Sequence, residues 1–154
     1  MQRMIKALGL AAVLLGGLVL AGPAAAQAEP DKAIEYRQQL FKTLGANLTA
    51  IVLNLRQEVS FAENVPTHAN TLAAILPLIE AAVEQDTAGE GSARTAAKPE
   101  IWSDWDTFSR LANEATAEAE LLAEVAAGGD MQALGQQVQA MAGSCRACHD
   151  RFRD

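Results

Sequence analysis

The chain reads as all-α, an antiparallel four-helix bundle. Along four separate stretches the apolar residues recur at alternating steps of three and four, the pattern of a helix with one buried face. No stretch shows the two-residue alternation of a half-buried strand. Proline and glycine separate the four stretches, and mostly short connections make sequential helices antiparallel.

A leader precedes the bundle. Met1 to Lys6 carries Arg3 and Lys6, Ala7 to Gly22 is an unbroken apolar and glycine run, and Pro23 to Ala28 supplies small residues. This is the pattern of a secretory signal peptide over residues 1–28, with cleavage after Ala26 or after Ala28 both acceptable. The run is short for a bilayer span of about 20 residues, and no cysteine stands nearby to take a lipid. The expected product is a periplasmic domain of residues 29–154, with no membrane attachment after cleavage.

Pro30 and Asp31 open the first helix, whose Ile34, Phe41, Leu44, Leu48, Ile51 and Leu55 form a seam, and which is expected to run to about Val59. Pro66 begins the second, with Leu72, Ile75, Leu76, Ile79 and Val83 on its apolar face and a kink expected at Pro77. The glycines between Thr87 and Ser92 break the pattern. Pro99-Glu100 then opens a third helix carrying Trp105, Phe108, Ala112, Ala115, Ala119, Leu122 and Ala126, whose small residues permit close helix approach. Gly128-Gly129 ends it, and Asp130 can cap a fourth helix that aligns Leu134, Val138, Met141, Cys145, Cys148 and Phe152.

Without Arg3 and Lys6, the twelve cations of the chain fall to ten against nineteen acids, a formal charge of −9. Such a surface excludes nucleic acid and anionic membranes as natural partners, while a basic redox partner would suit it.

The chemistry is concentrated in Cys145-Arg146-Ala147-Cys148-His149, a Cys-x-x-Cys-His run. On a helix the two cysteines stand one turn apart and can each form a thioether with a haem vinyl group, while the histidine ligates the iron, so the cofactor indicated is one covalent haem c. The same pair of cysteines also occurs in dithiol redox enzymes and zinc sites. A thioredoxin-like enzyme would need a strand–helix–strand setting, and zinc would need His68 or a carboxylate to complete its ligands; a haem-free dithiol bundle is the remaining alternative.

Candidates for the other face of the iron are few. Met131 and Met141 precede His149 on its own helix, Met141 by about 12 Å of rise, so neither reaches across. His68 lies beside polar Thr67 and Asn70 and reads as a surface histidine, and an exposed lysine such as Lys42 is protonated at neutral pH. A five-coordinate iron with an apolar distal side follows. No acid–base pair accompanies the motif, so an enzyme is not expected.

With these residues in view the chain resembles the cytochromes c′. The resemblance spans essentially all of residues 29–154, through Ala33-Ile34-Glu35-Tyr36-Arg37-Gln38, then Gly45, Asn47, Ala50 and Ile51, the run Lys98-Pro99-Glu100-Ile101-Trp102-Ser103-Asp104, and Cys145 to Arg153. It implies a four-helix haem protein, a homodimer, with high-spin iron that binds nitric oxide or carbon monoxide. It assigns Cys145 and Cys148 to the thioethers and His149 to the axial position, and puts Phe41 at the distal position, where low-spin relatives carry methionine. Arg37 falls near the haem propionates, Arg153 on the proximal side and Trp102 at the haem edge. A tryptophan of some relatives is replaced here by Leu78. Without a donor on Phe41 the pocket would favour nitric oxide and carbon monoxide over dioxygen. Electron transfer to a periplasmic partner, by a low-spin cytochrome of the same family, is the alternative function.

Overall fold

The computed structural model describes residues 28–154, so the expected signal peptide lies almost wholly outside the described residues. Helix α1 spans Pro30–Leu55, with Pro30 in the first turn and Asp31 placing negative charge at the positive end of the helix dipole. It stops four residues short of the expected Val59. Gln57 adopts a left-handed φ of 57°, its amide donates to Asn54 O, and the Glu58 amide donates to Leu53 O at 3.0 Å. These are the two bonds of a Schellman ending, here made without the glycine that usually signals it.

The second bundle helix is built in pieces: α2 Val65–Ile75, a 3₁₀ turn over Leu76–Leu78, and α3 Ile79–Ala82. Pro77 has no amide to donate and so produces the expected break. The third also divides, into α4 Glu100–Ser103 and α5 Trp105–Gly128, because Asp104 leaves helical geometry at φ −130° and ψ 52°. This displaces Trp105 from the expected core: it is 37% exposed and stacks on buried Phe108 with centroids 5.6 Å apart. Gly129, at φ 73°, closes α5, and the Asp130 carboxylate accepts from the amides of Gln132 and Ala133 to start α6, Met131–Phe152.

Helix α5 packs on α6 and α2, and α1 packs on α2, whereas α1 and α6 barely touch. The core runs through Ile34, Ile51, Leu72, Phe108, Leu122 and Met141. Among the described residues no helix is long and apolar enough to cross a membrane. The only β pairing there is an isolated antiparallel bridge between Ala97 and Arg153.

Candidate functional site

A cavity of about 430 Å³ occupies the seam where α1 and α6 fail to close on each other. Its size lies within the range of cofactor pockets, roughly 300–1,000 Å³. Most of its lining is apolar, from Leu72 and Leu76 of the second bundle helix to Phe108, Leu111 and Ala112 of α5 and Met141 of α6.

Six of the seven site residues expected from sequence line this one cavity: Arg37 and Phe41 on α1, Cys145, Cys148 and His149 on α6, and Arg153 just beyond it. Cys145 and Cys148 are half-buried free thiols on successive turns. Burial pushes both thiols above their ordinary 9.0, the reverse of the thiolate that dithiol exchange requires. Among the described residues no three His, Cys, Asp or Glu side chains cluster as a metal site of their own. His149 is also half-buried, and burial, helped by the charge of Arg153, lowers its pKa from 6.5. The imidazole is therefore neutral at pH 7, the form that ligates iron.

From α1 the cavity receives apolar Phe41, Leu44 and Leu48, none of which carries an atom able to bind a metal, together with Arg37, Gln38, Gly45 and the exposed Lys42. Met141 lines the cavity from the helix that carries His149. His68 is outside the lining, with Nδ1 2.9 Å from Asn47 Oδ1.

Arg37 is 3% exposed and has no carboxylate partner among the described residues. Its guanidinium donates from Nη1 and Nη2 to Thr87 Oγ1 and from Nη2 to Thr95 Oγ1, each at 3.2 Å, and burial lowers its pKa. Trp102, the seventh expected residue, does not line the cavity. It packs one layer away, its Nε1 donating to Val83 O at 2.8 Å and its ring centroid 5.7 Å from the Arg37 guanidinium carbon. A buried cation served only by hydroxyls and a ring face leaves a charge to be matched by an anionic group in the cavity. Two thiols, a neutral imidazole, an apolar slot and this cation together fit a haem with its propionates.

Thr87 and Thr95 were not apparent as site residues, since nothing local in sequence ties a threonine to an arginine 50 residues away. They belong to a strap, residues 84–98, that spans the gap between α1 and α6. Asp31 anchors its middle, accepting from the Ser92 amide at 2.6 Å, Ser92 Oγ at 2.7 Å and the Ala93 amide at 2.9 Å. A Cβ at Gly91, whose φ is 72°, would collide with the Asp31 carboxylate. At its C-terminal end Lys98 N donates to Phe152 O at 3.0 Å and Asp154 N to Ala96 O at 2.9 Å. That bridge leaves Arg153 extended, at φ −132° and ψ 137°, rather than on a further helical turn after His149.

The fold and the site together define a class: haem proteins built as four-helix bundles, with the haem motif on the last helix. The cytochrome c′ family model matches residues 32–153. A cytochrome c′ of Pararhodospirillum photometricum is 33% identical over 127 residues, 82% of this chain and 100% of the relative. One from Rhodospirillum rubrum is 34% identical over 127 residues, covering 82% and 84%. Among solved structures, a cytochrome c′ with ligand-controlled dimer dissociation superposes with a TM-score of 0.77 at 32% identity, covering 83% of this chain and 98% of that one. A nitric oxide complex of a variant cytochrome c prime from Alcaligenes xylosoxidans does so with a TM-score of 0.73 at 26% identity, covering 84% and 98%. The chain belongs to the cytochrome c′ family.

Proposed function

We propose that the protein is a periplasmic haem c protein that binds nitric oxide or carbon monoxide at an iron carrying His149 as its only protein ligand. The observation that carries this reading is the α1 wall of the cavity, where Phe41, Leu44 and Leu48 carry no ligating atom and the one amine, Lys42, is solvent-exposed. The nitric oxide complex of the Alcaligenes relative supports the choice of gas.

In this reading Cys145 and Cys148 would hold haem c through two thioethers and His149 would ligate its iron. When bound, the group would supply an iron able to take a diatomic ligand. The chain's own residues set what reaches it. Phe41 narrows the approach and donates no hydrogen bond, so selection is by size and polarity. Arg37, already oriented by Thr87 and Thr95, meets a propionate without reorganising. Arg153 lies on the His149 side, held by the bridge to Ala97. The activity proposed is gas binding rather than turnover.

Export rests on the sequence of residues 1–28 and a homodimer on the family, whose ligand-controlled dimer dissociation in one relative supports it; sedimentation of the mature protein tests the dimer. The principal test is the absorption spectrum of the reduced protein with and without carbon monoxide or nitric oxide, recorded beside a haem stain of a denaturing gel. A stain that survives denaturation and a high-spin spectrum that shifts on adding gas are expected. A sharp low-spin spectrum indifferent to gas would overturn the gas-binding reading in favour of electron transfer alone. Loss of the stain on denaturation would overturn covalent attachment.

A further inference from the structure

The ten cationic side chains of residues 28–154 divide into two groups of five. Lys32, Arg56, Lys98, Arg110 and Arg151 are each paired with a carboxylate. Arg37, Lys42, Arg94, Arg146 and Arg153 have no such partner among the described residues; three of them line the cavity and the other two are sequence neighbours of lining residues. Arg37, Lys42 and Arg153 line the cavity. Arg94 adjoins the lining residue Thr95, and its carbonyl accepts from Gln38 Nε2 at 2.7 Å. Arg146 lies between the two lining cysteines. Asp86 and Glu90 of the strap and Asp150 of α6 are on the same segments, yet no Asp or Glu lines the cavity in a chain that has nineteen.

We propose that the exposed members of this set, Lys42, Arg94, Arg146 and Arg153, form a docking surface for a partner protein that presents an acidic face. The proposal rests on the haem reading above, because two propionates would offset only two of the five charges, buried Arg37 first. The exposed four come from α1, the strap, α6 and the chain end, and among the described residues no shared acceptor draws any two of them together. Such a spread matches an extended acidic surface better than a small anion, which needs donors converging on one point. The overall charge of −9 works against this only at long range. At about 0.1 M salt the Debye length is about 10 Å, so a close partner feels the local patch rather than the molecular total.

The test uses the ¹⁵N-labelled holoprotein with poly-L-glutamate as the acidic polypeptide and inorganic phosphate as the small anion. At about 0.1 M salt poly-L-glutamate should shift amides around Lys42, Thr95, Arg146 and Arg153, and at about 1 M salt, where the Debye length is about 3 Å, the shifts should vanish. The double variant Arg94→Glu/Arg146→Glu should weaken binding on the order of tenfold, and Arg94→Gln/Arg146→Gln by less. Neither side chain lines the cavity, so the carbon monoxide difference spectrum should be unchanged. No shifts with poly-L-glutamate, shifts scattered over the molecule, or unweakened binding by the Glu variant would overturn the docking surface. Phosphate giving the same shifts at equal charge would replace the partner with a small anion. A sample without a stable haem stain would instead mark failure of the haem reading.

Discussion

In the gas-binding reading proposed above, the choice of ligand turns on Phe41. It is partly buried, packs against the core and faces the cavity from α1, opposite the helix that presents His149. Phe41→Met places a thioether where this chain has none, and the spectrum of the reduced protein should move toward low spin; a fully high-spin variant would show that position 41 does not face the iron. Phe41→Ala removes the bulk instead, so carbon monoxide association by flash photolysis should speed up, by an amount read against the wild-type rate. His149 was legible in the sequence from the motif itself, whereas Phe41 was legible only as a seam position, its distal assignment coming from the resemblance to the cytochromes c′; both line the cavity. The partners of Arg37 were not legible. Thr87 and Thr95 come from a connection with no periodicity, and only the folded chain brings them to the guanidinium.

Helix ends carry the next set of consequences. The seams, the Pro77 break and the Asp130 cap follow from local chemistry and match the expected elements. The ends that differ do so where local chemistry gave no sign: Gln57 holds a left-handed conformation with a side chain that disfavours it, and Asp104 interrupts what reads as one helix. Gln57→Gly should keep the Schellman bonds and remove the Cβ strain, stabilising the protein by about 0.5–1 kcal/mol in denaturant unfolding. The strap has a different dependence. Hydrogen bonds from the Ala93 amide, the Ser92 hydroxyl and the Ser92 amide hold the Asp31 pKa below its ordinary 3.8. A depressed carboxylate contributes stability above its unfolded pKa and loses it as pH falls through the folded value. The Ser92 and Ala93 amide resonances should therefore titrate together with a midpoint below 3.8, and Asp31→Asn should abolish that titration while loosening the strap at neutral pH.

For the whole molecule the cavity sets a limit on what the chain can do alone. An apolar void costs about 24 cal/mol per Å³, so about 430 Å³ left unfilled corresponds to an upper figure on the order of 10 kcal/mol, since the seam opens to water. Domains of this size hold about 5–15 kcal/mol in total. Buried Arg37, with no carboxylate partner among the described residues, adds to the cost in the same place. The three helix contacts of the bundle, α1 with α2, α2 with α5 and α5 with α6, do not depend on the cavity in the way that the α1–α6 seam does. Haem is thus expected to act as the missing fourth contact, and the strap to tie its two sides together from Asp31 to Asp154. Replacing both cysteines, Cys145→Ala/Cys148→Ala, and preparing the chain free of haem should leave a compact, helical but loosely packed state. Far-ultraviolet circular dichroism should remain helical, while the near-ultraviolet signal and cooperative thermal unfolding are lost and a hydrophobic dye binds. A haem-free chain that still melted in one sharp transition would mean that α1 and α6 can close on each other without the cofactor, and the haem would then be a passenger in the fold rather than part of its core.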